Sequence, residues 1–359
     1  MTQNAKRLDN LDLMKTIAIL LVISLHAALW KYEITNNFFS TPDIIQYSFR
    51  VLSQGVPIFL AVNGFLLFRK KKLDIKKHYL KTLKLLLLFV FWTALLYIIK
   101  EITNNNLNSI SFTSVVNTIF EANSSNAVTW FLQSLIAVYL IYPMLKLLYD
   151  KEFLLFKILF VIVTIFTVCI SILNLFKVSL DSLSLSSIAK EIGMTESFVI
   201  KFSPLANGWF LLFFMLGGMI YYNYEYFSRK RIFFILAGII STSATIAFAI
   251  IMTLRTGIIY NPDFMYSTLF MPVCILGLWA ITLKYKSKQL LINKLIRSFG
   301  KNTFGIYLTH WIFIYLLRYF YTPELFWHRL LFYISVVVLS YLFSLLLKII
   351  PGVKHIVTV

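Results

Sequence analysis

The sequence predicts an all-α fold, a polytopic bundle of about ten transmembrane helices with both termini in the cytoplasm. Three observations lead there. Of 359 residues, 59% are hydrophobic and only 14% charged, with a mean hydropathy of +0.79, where soluble domains are normally ~45–50% apolar and ~25% charged. That composition leaves too little polar surface to dissolve a globule. Apolar runs near the ~20 residues that cross ~30 Å of hydrocarbon recur along the chain, separated by polar or charged breaks. The net charge of +19, from 34 Lys and Arg against 15 Asp and Glu, gathers in alternate breaks.

The runs fall at 13–30, 51–68, 79–99, 129–148, 153–176, 208–224, 232–254, 264–283, 303–320 and 325–349. The breaks after the second, fourth, sixth and eighth are basic: Arg69 to Lys72 with Lys76 and Lys77, then Lys146 and Lys151, then Arg229 to Arg231, then Lys284 through Lys301. The other breaks are nearly free of Lys and Arg, as in the Asn-rich stretch 103–126. The positive-inside rule puts both termini and the even loops in the cytoplasm, and an even span count agrees with termini on one side. Lys6, Arg7 and Lys15 precede the first run without a small-residue cleavage pattern after it, so that run reads as a retained signal-anchor.

No fixed-period repeat or low-complexity linker divides the chain, and residues 1–359 read as one membrane domain. The pI of 9.8 reports topology before it reports any polyanion, so a nucleic-acid partner is not expected. Cys169 and Cys274 sit in separate apolar runs, at no metal-ligand or disulfide spacing, and no metal site is expected. The mixed stretch 177–204, with Asp181, Glu191 and Glu196, is a candidate cover for an outward-facing site.

A polar side chain at bilayer depth costs a few kcal/mol, which makes each one a candidate for function. His26, Asn63 and His310 are the clearest cases. His26 follows Lys15 by eleven residues, so the two share a helix face about 16 Å apart along the axis. A cation near the cytoplasmic end can hold an anionic group while a neutral imidazole deeper in the bundle acts as a general base. Spacing alone equally allows Lys15 to be a snorkelling topology marker and His26 an interhelical hydrogen-bonder.

The stretch from Leu11 to His26 resembles the first helix of the acyltransferase 3 family of integral membrane O-acyltransferases, whose pattern is a basic residue, ten others, then the catalytic His. Further blocks follow in family order. Gly55 to Phe59 with Asn63-Gly64-Phe65-Leu66 is similar to the second helix, Trp130-Phe131-Leu132 with Tyr139 and Pro143 to the Trp-Phe-Leu motif, and Phe214 with Gly217-Gly218 to the aromatic-glycine helix. Phe299 to His310 is similar to the late motif ending in His. Lys15 stands where the family usually has Arg, Asn63 where it has Ser, and Lys77, His78, Lys81 and Lys84 where its third helix is Arg-rich. The set resembles most the compact surface-polysaccharide O-acetyltransferases, which lack a fused extracytoplasmic domain.

The resemblance implies transfer of an acyl group from cytoplasmic acyl-CoA, usually acetyl-CoA, to a hydroxyl of an envelope glycan or its lipid-linked precursor. It implies no permanently bound cofactor. His26 is then the general base and His310 a second site histidine that polarises the thioester or helps place the acceptor. Lys15, Arg69, Lys70, Lys71, Lys72, Lys81 and Lys84 are the candidates for gripping the phosphates of CoA, a role that for Arg69 to Lys84 is compatible with lipid-headgroup anchoring. Asp12 completes that donor-binding set by orienting Lys15 at i,i+3, or is a helix N-terminal acid. Asn63, Trp130, Tyr139 and Tyr307 are candidates for lining the sugar or pantetheine path, although aromatics at span ends commonly form membrane belts. Gly55, Gly64, Gly217, Gly218 and Gly305 read as close-packing positions, and His78, His328 and His355 have no role from sequence. A transporter or flippase for an envelope precursor is the alternative, which Pro57, Pro143 and Pro272 weaken because they do not repeat in two related halves. A sensor without catalysis is a third.

Overall fold

The computed structural model describes residues 8–30, 40–120, 129–182, 208–256, 270–285, 289–351 and 353–357. Every regular element among them is helical. The main helices are α1 (Asp9–His26), α2 (Thr41–Leu52), α3 (Gly55–Phe68), α4 (Ile75–Thr103), α5 (Phe112–Phe120), α6 (Trp130–Lys151), α7 (Phe153–Ser182), α8 (Trp209–Tyr222), α9 (Tyr224–Arg229), α10 (Arg231–Thr256), α11 (Phe270–Thr282), α12 (Leu290–Phe320) and α13 (Phe326–Ile349).

Each of the ten apolar runs has most of its described residues on these helices, and the chain is a multi-pass integral membrane protein. Five segments are long and apolar enough to cross a bilayer: Thr41–Phe68, Ile75–Thr103, Trp130–Lys151, Arg231–Leu254 and Phe326–Ile349. Shorter apolar helices cover Phe153–Cys169, Trp209–Tyr222 and Phe270–Thr282. Neither α1 nor α12 is in these groups, and those two carry His26 and His310.

Some boundaries differ from the sequence expectation, for local reasons. α12 begins at Leu290 rather than at residue 303, so Lys294, Arg297 and Lys301 stand on its first turns instead of in a loop. A hydropathy window ends where charge appears, but a helix without a proline does not. α4 likewise starts at Ile75, where the Asp74 side chain accepts from the Lys77 N–H at 2.9 Å and caps the helix. The amphipathic α2, begun by Ser40 and Pro42, was not expected as a separate helix. Most of the candidate cover at 177–204 lies outside the described residues.

The described residues gather into two compact units. One contains Met1–Met14, Trp30–Lys71 and Leu145–Lys288, and the other Lys15–Leu29, Lys72–Met144 and Gln289–Val359. In the first, α3 and α8 touch backbone to backbone, because a Cβ on Gly64 would sit 1.9 Å from the Phe214 carbonyl oxygen. One on Gly217 would sit 2.0 Å from that of Ala61. Gly238 of α10 and Gly277 of α11 make a second such crossing. Small residues allow this approach where lipid offers helices no hydrophobic drive to associate. Lys146, only 3% exposed, spends its charge locally: its ammonium donates to the Phe68 carbonyl at the end of α3 (3.1 Å) and to Asp150 (2.6 Å).

In the second unit α12 packs on α13 and α4, with Gly305 set against Ser344 and the Thr309 hydroxyl donating to the Ser340 carbonyl at 3.3 Å. His78 gains a role here. Pro143 inside α6 has no N–H, so the Tyr139 carbonyl four residues earlier loses its helical partner. His78 Nε2 lies 2.7 Å from that oxygen and donates to it, and Tyr79 donates to the neighbouring Leu140 carbonyl at 3.2 Å. The Tyr139 ring therefore packs on His78, with centroids 5.5 Å apart. We expect His78→Leu to lower thermal stability by about 1–3 kcal/mol, the cost of an orphaned buried carbonyl. In a Pro143→Ala background the backbone N–H returns and the same change should cost much less. Equal costs in the two backgrounds, measured by unfolding in detergent, would refute this role.

Candidate functional site

The unit that holds both histidines positions them by two helix features. α1 stops at His26. The Ala28 N–H donates to the Leu25 carbonyl and the Leu29 N–H to that of Ser24, the paired bonds of a Schellman stop, with Ala28 left-handed at φ 51°. Glycine is the usual residue there, and Ala pays about 1–2 kcal/mol for the conformation. The His26 carbonyl is in turn capped by the Arg318 guanidinium at 3.1 Å, and the Leu20 carbonyl by the Tyr333 hydroxyl at 3.3 Å. His26, half-buried, is thus the last residue of a helix whose end is fixed by its neighbours.

α12 brings His310 and Trp311 to it. The His26 ring centroid lies 5.6 Å from that of His310 and 5.0 Å from that of Trp311. His310 is fully buried, and its Nδ1 lies 2.5 Å from the Tyr307 carbonyl oxygen. A carbonyl only accepts, so the proton sits on Nδ1 and the neutral ring presents a lone pair at Nε2. That Nε2 has no protein partner among the described residues. Neither does the indole N–H of Trp311, which is 9% exposed. Tyr307 is buried with its ring 5.7 Å from His310 and 5.2 Å from Phe131, which in turn neighbours Trp130 at 6.5 Å. An aromatic wall therefore runs from the Trp-Phe-Leu block to the histidines.

A family model of the acyltransferase domain matches residues 8–349. The chain belongs to the acyltransferase 3 family. No curated protein and no solved structure matches it.

The sequence candidates of this acyltransferase divide between its units. Lys15 on α1 and Lys84 on α4 are half-buried, and Lys72 and Lys81 are exposed, in the unit of the histidines together with Trp130, Tyr139 and Tyr307. Asp12, Asn63, Arg69, Lys70 and Lys71 fall in the other unit. There Asp12 is buried, Asn63 and Arg69 are half-buried, and Lys70 and Lys71 are exposed. Arg69 lines a cavity of about 640 Å³ walled by Phe65, Tyr149, Tyr221, Tyr222 and Tyr224.

Other residues of the acyltransferase near the histidines escaped the sequence reading. Trp311 passed as an apolar span residue, and Arg318 as a charge at a span end. Glu101 on α4 is buried and accepts from the Ser109 hydroxyl at 2.8 Å. The Tyr315 ring packs, tilted, 5.2 Å from that of Trp311. The spacing 307, 311, 315 on one helix face was visible in the sequence, but nothing in it pointed to α1.

Proposed function

We propose that this acyltransferase moves an acetyl group from acetyl-CoA to a hydroxyl of an envelope glycan or its lipid-linked precursor, with His26 as general base. The observation that carries the reading is the pairing of His26 with the buried, hydrogen-accepting His310, centroids 5.6 Å apart, on two helices of a family acyltransferase. His26 Nε2 or Nδ1 takes the hydroxyl proton as the oxygen attacks the thioester carbon. The thiolate of CoA leaves and takes a proton from the imidazolium. His310 receives a hydrogen bond from a hydroxyl neighbouring the attacking one on the acceptor sugar and so aligns the acceptor, a role its tautomer favours over polarising the thioester.

Lys15 lies eleven residues before His26 on α1, about 16 Å away along the axis, which is of the order of the pantetheine arm. It supplies positive charge for the phosphates of CoA, together with Lys72, Lys81 and Lys84 in its own unit. With the basic loops cytoplasmic, this charge faces the compartment in which acyl-CoA is made.

The test compares wild type with His26→Ala and His26→Gln at matched membrane levels, following label from acetyl-CoA into envelope glycan. We expect both variants to lose about 10²–10⁴-fold in rate. Retained transfer in both would remove His26 as the base.

A further inference from the structure

We infer that Trp311 is a catalytic residue of the acyl transfer, its indole N–H donating to the thioester carbonyl oxygen and to the oxyanion that forms there. The inference rests on the reading of the His26 and His310 pair as the acyl-transfer site. Two adjacent residues of α12 each bury a polar atom without a protein partner among the described residues: Nε2 of His310 and Nε1 of Trp311. The first is an acceptor, because Nδ1 donates to the Tyr307 carbonyl. The second is a donor only. Both rings lie within 6 Å of the His26 ring, at 5.6 and 5.0 Å between centroids.

A buried acceptor and a buried donor beside the ring of a general base match two polar groups of the substrates, a hydroxyl neighbouring the attacking one on the acceptor and a carbonyl that gains charge. Among the other buried polar atoms of this unit, those without a hydrogen-bond partner on Thr93, Thr129, Asn293 and Ser344 are single groups on residues that have no ring contact with either histidine. Packing alone does not need the nitrogen at 311. The Trp311 ring is already held between His26 and Tyr315, and a carbon or sulfur atom would fill the same space.

In the step, the acceptor oxygen forms a bond to the thioester carbon while its proton passes to the general base. The carbonyl π pair moves to the carbonyl oxygen, and the Trp311 N–H holds that charge. The pair then returns, the carbon–sulfur bond breaks, and CoA leaves as the thiolate, which is protonated from the imidazolium. A donor pre-set in a site that excludes water strengthens as charge develops and needs no reorganisation.

The experiment uses the full-length protein in membranes that contain the envelope glycan, with acetyl-CoA as donor. Trp311→Phe, and Trp311 replaced by 3-benzothienylalanine, which keeps the indole shape with sulfur in place of N–H, are compared with wild type at matched protein levels. The expected result is a fall of about 10²–10³-fold in kcat, the effect of removing one oxyanion donor. The KM for acetyl-CoA should stay within about twofold, because the bond is made in the transition state. Slow hydrolysis of acetyl-CoA by water should fall in parallel. The isostere carries the test where the Phe variant does not accumulate. A kcat within about threefold of wild type in the isostere, a loss confined to KM, or a loss of glycan transfer with hydrolysis intact would overturn the assignment. Full transfer by His26→Gln in the same assay would remove the site itself, a failure distinct from that of Trp311.

Discussion

Gly64→Ala should leave little folded protein in the membrane, and what folds should unfold at a markedly lower temperature in detergent. The methyl group would stand 1.9 Å from the Phe214 carbonyl oxygen and 2.8 Å from the carbonyl carbon, and both are backbone atoms of a helix. No rotamer change relieves such a contact, so α3 and α8 must move apart along their crossing. The aromatic pair Phe68 and Phe214, at 5.4 Å, and the other side chains of the seam then lose contact together. Overpacking a core usually costs 1–3 kcal/mol, and here we expect ~3 kcal/mol or more, a large part of a typical ~5–15 kcal/mol of stability. Gly217→Ala meets the Ala61 carbonyl at 2.0 Å and should behave alike. Once the helices have parted the second methyl adds little, so the double variant should cost clearly less than the sum. Wild-type melting of either single variant would contradict the close crossing.

His310→Leu should do the opposite: keep or raise stability while removing activity. In the wild type a fully buried ring nitrogen has no protein partner among the described residues, and such a group costs about 1–3 kcal/mol. Leucine fills a similar volume and carries no polar atom, and the bond it deletes is a local one, to the Tyr307 carbonyl three residues back on the same helix. If Nε2 receives that neighbouring hydroxyl of the acceptor, kcat should fall about 10²-fold or more at unchanged KM for acetyl-CoA. Thermal unfolding and transfer from labelled acetyl-CoA, measured on the same preparation, check both halves. A variant that melts early and transfers normally would make His310 a structural residue.

These two positions show how unevenly the sequence disclosed the molecule. The described parts of all ten apolar runs are mostly helical, because a chain in lipid must satisfy its backbone within each segment, and hydrophobic length alone marks where that happens. Helix ends were less legible. The start of α12 at Leu290 and the Asp74 cap of α4 depend on local hydrogen bonding that a hydropathy window does not register. Of the glycines read as packing positions, Gly64, Gly217, Gly218 and Gly305 do face another element at contact distance, while Gly55 opens α3.

Lys15 and His26 could be related from sequence because one continuous helix fixes their spacing. His310 and Trp311 could not be related to His26, since 284 residues and several turns of chain separate positions 26 and 310, and no periodicity spans that distance. His78 had no reading at all until the carbonyl freed by Pro143 was found beside it.

The sequence by itself determined a helical membrane protein, its basic and neutral sides, and its family pattern, because those follow from composition, segment length and local spacing. Only the tertiary structure decided which polar atoms meet. The rings of His310, Trp311 and His26 come together through the packing of distant helices, and which buried polar atoms find partners is settled in three dimensions.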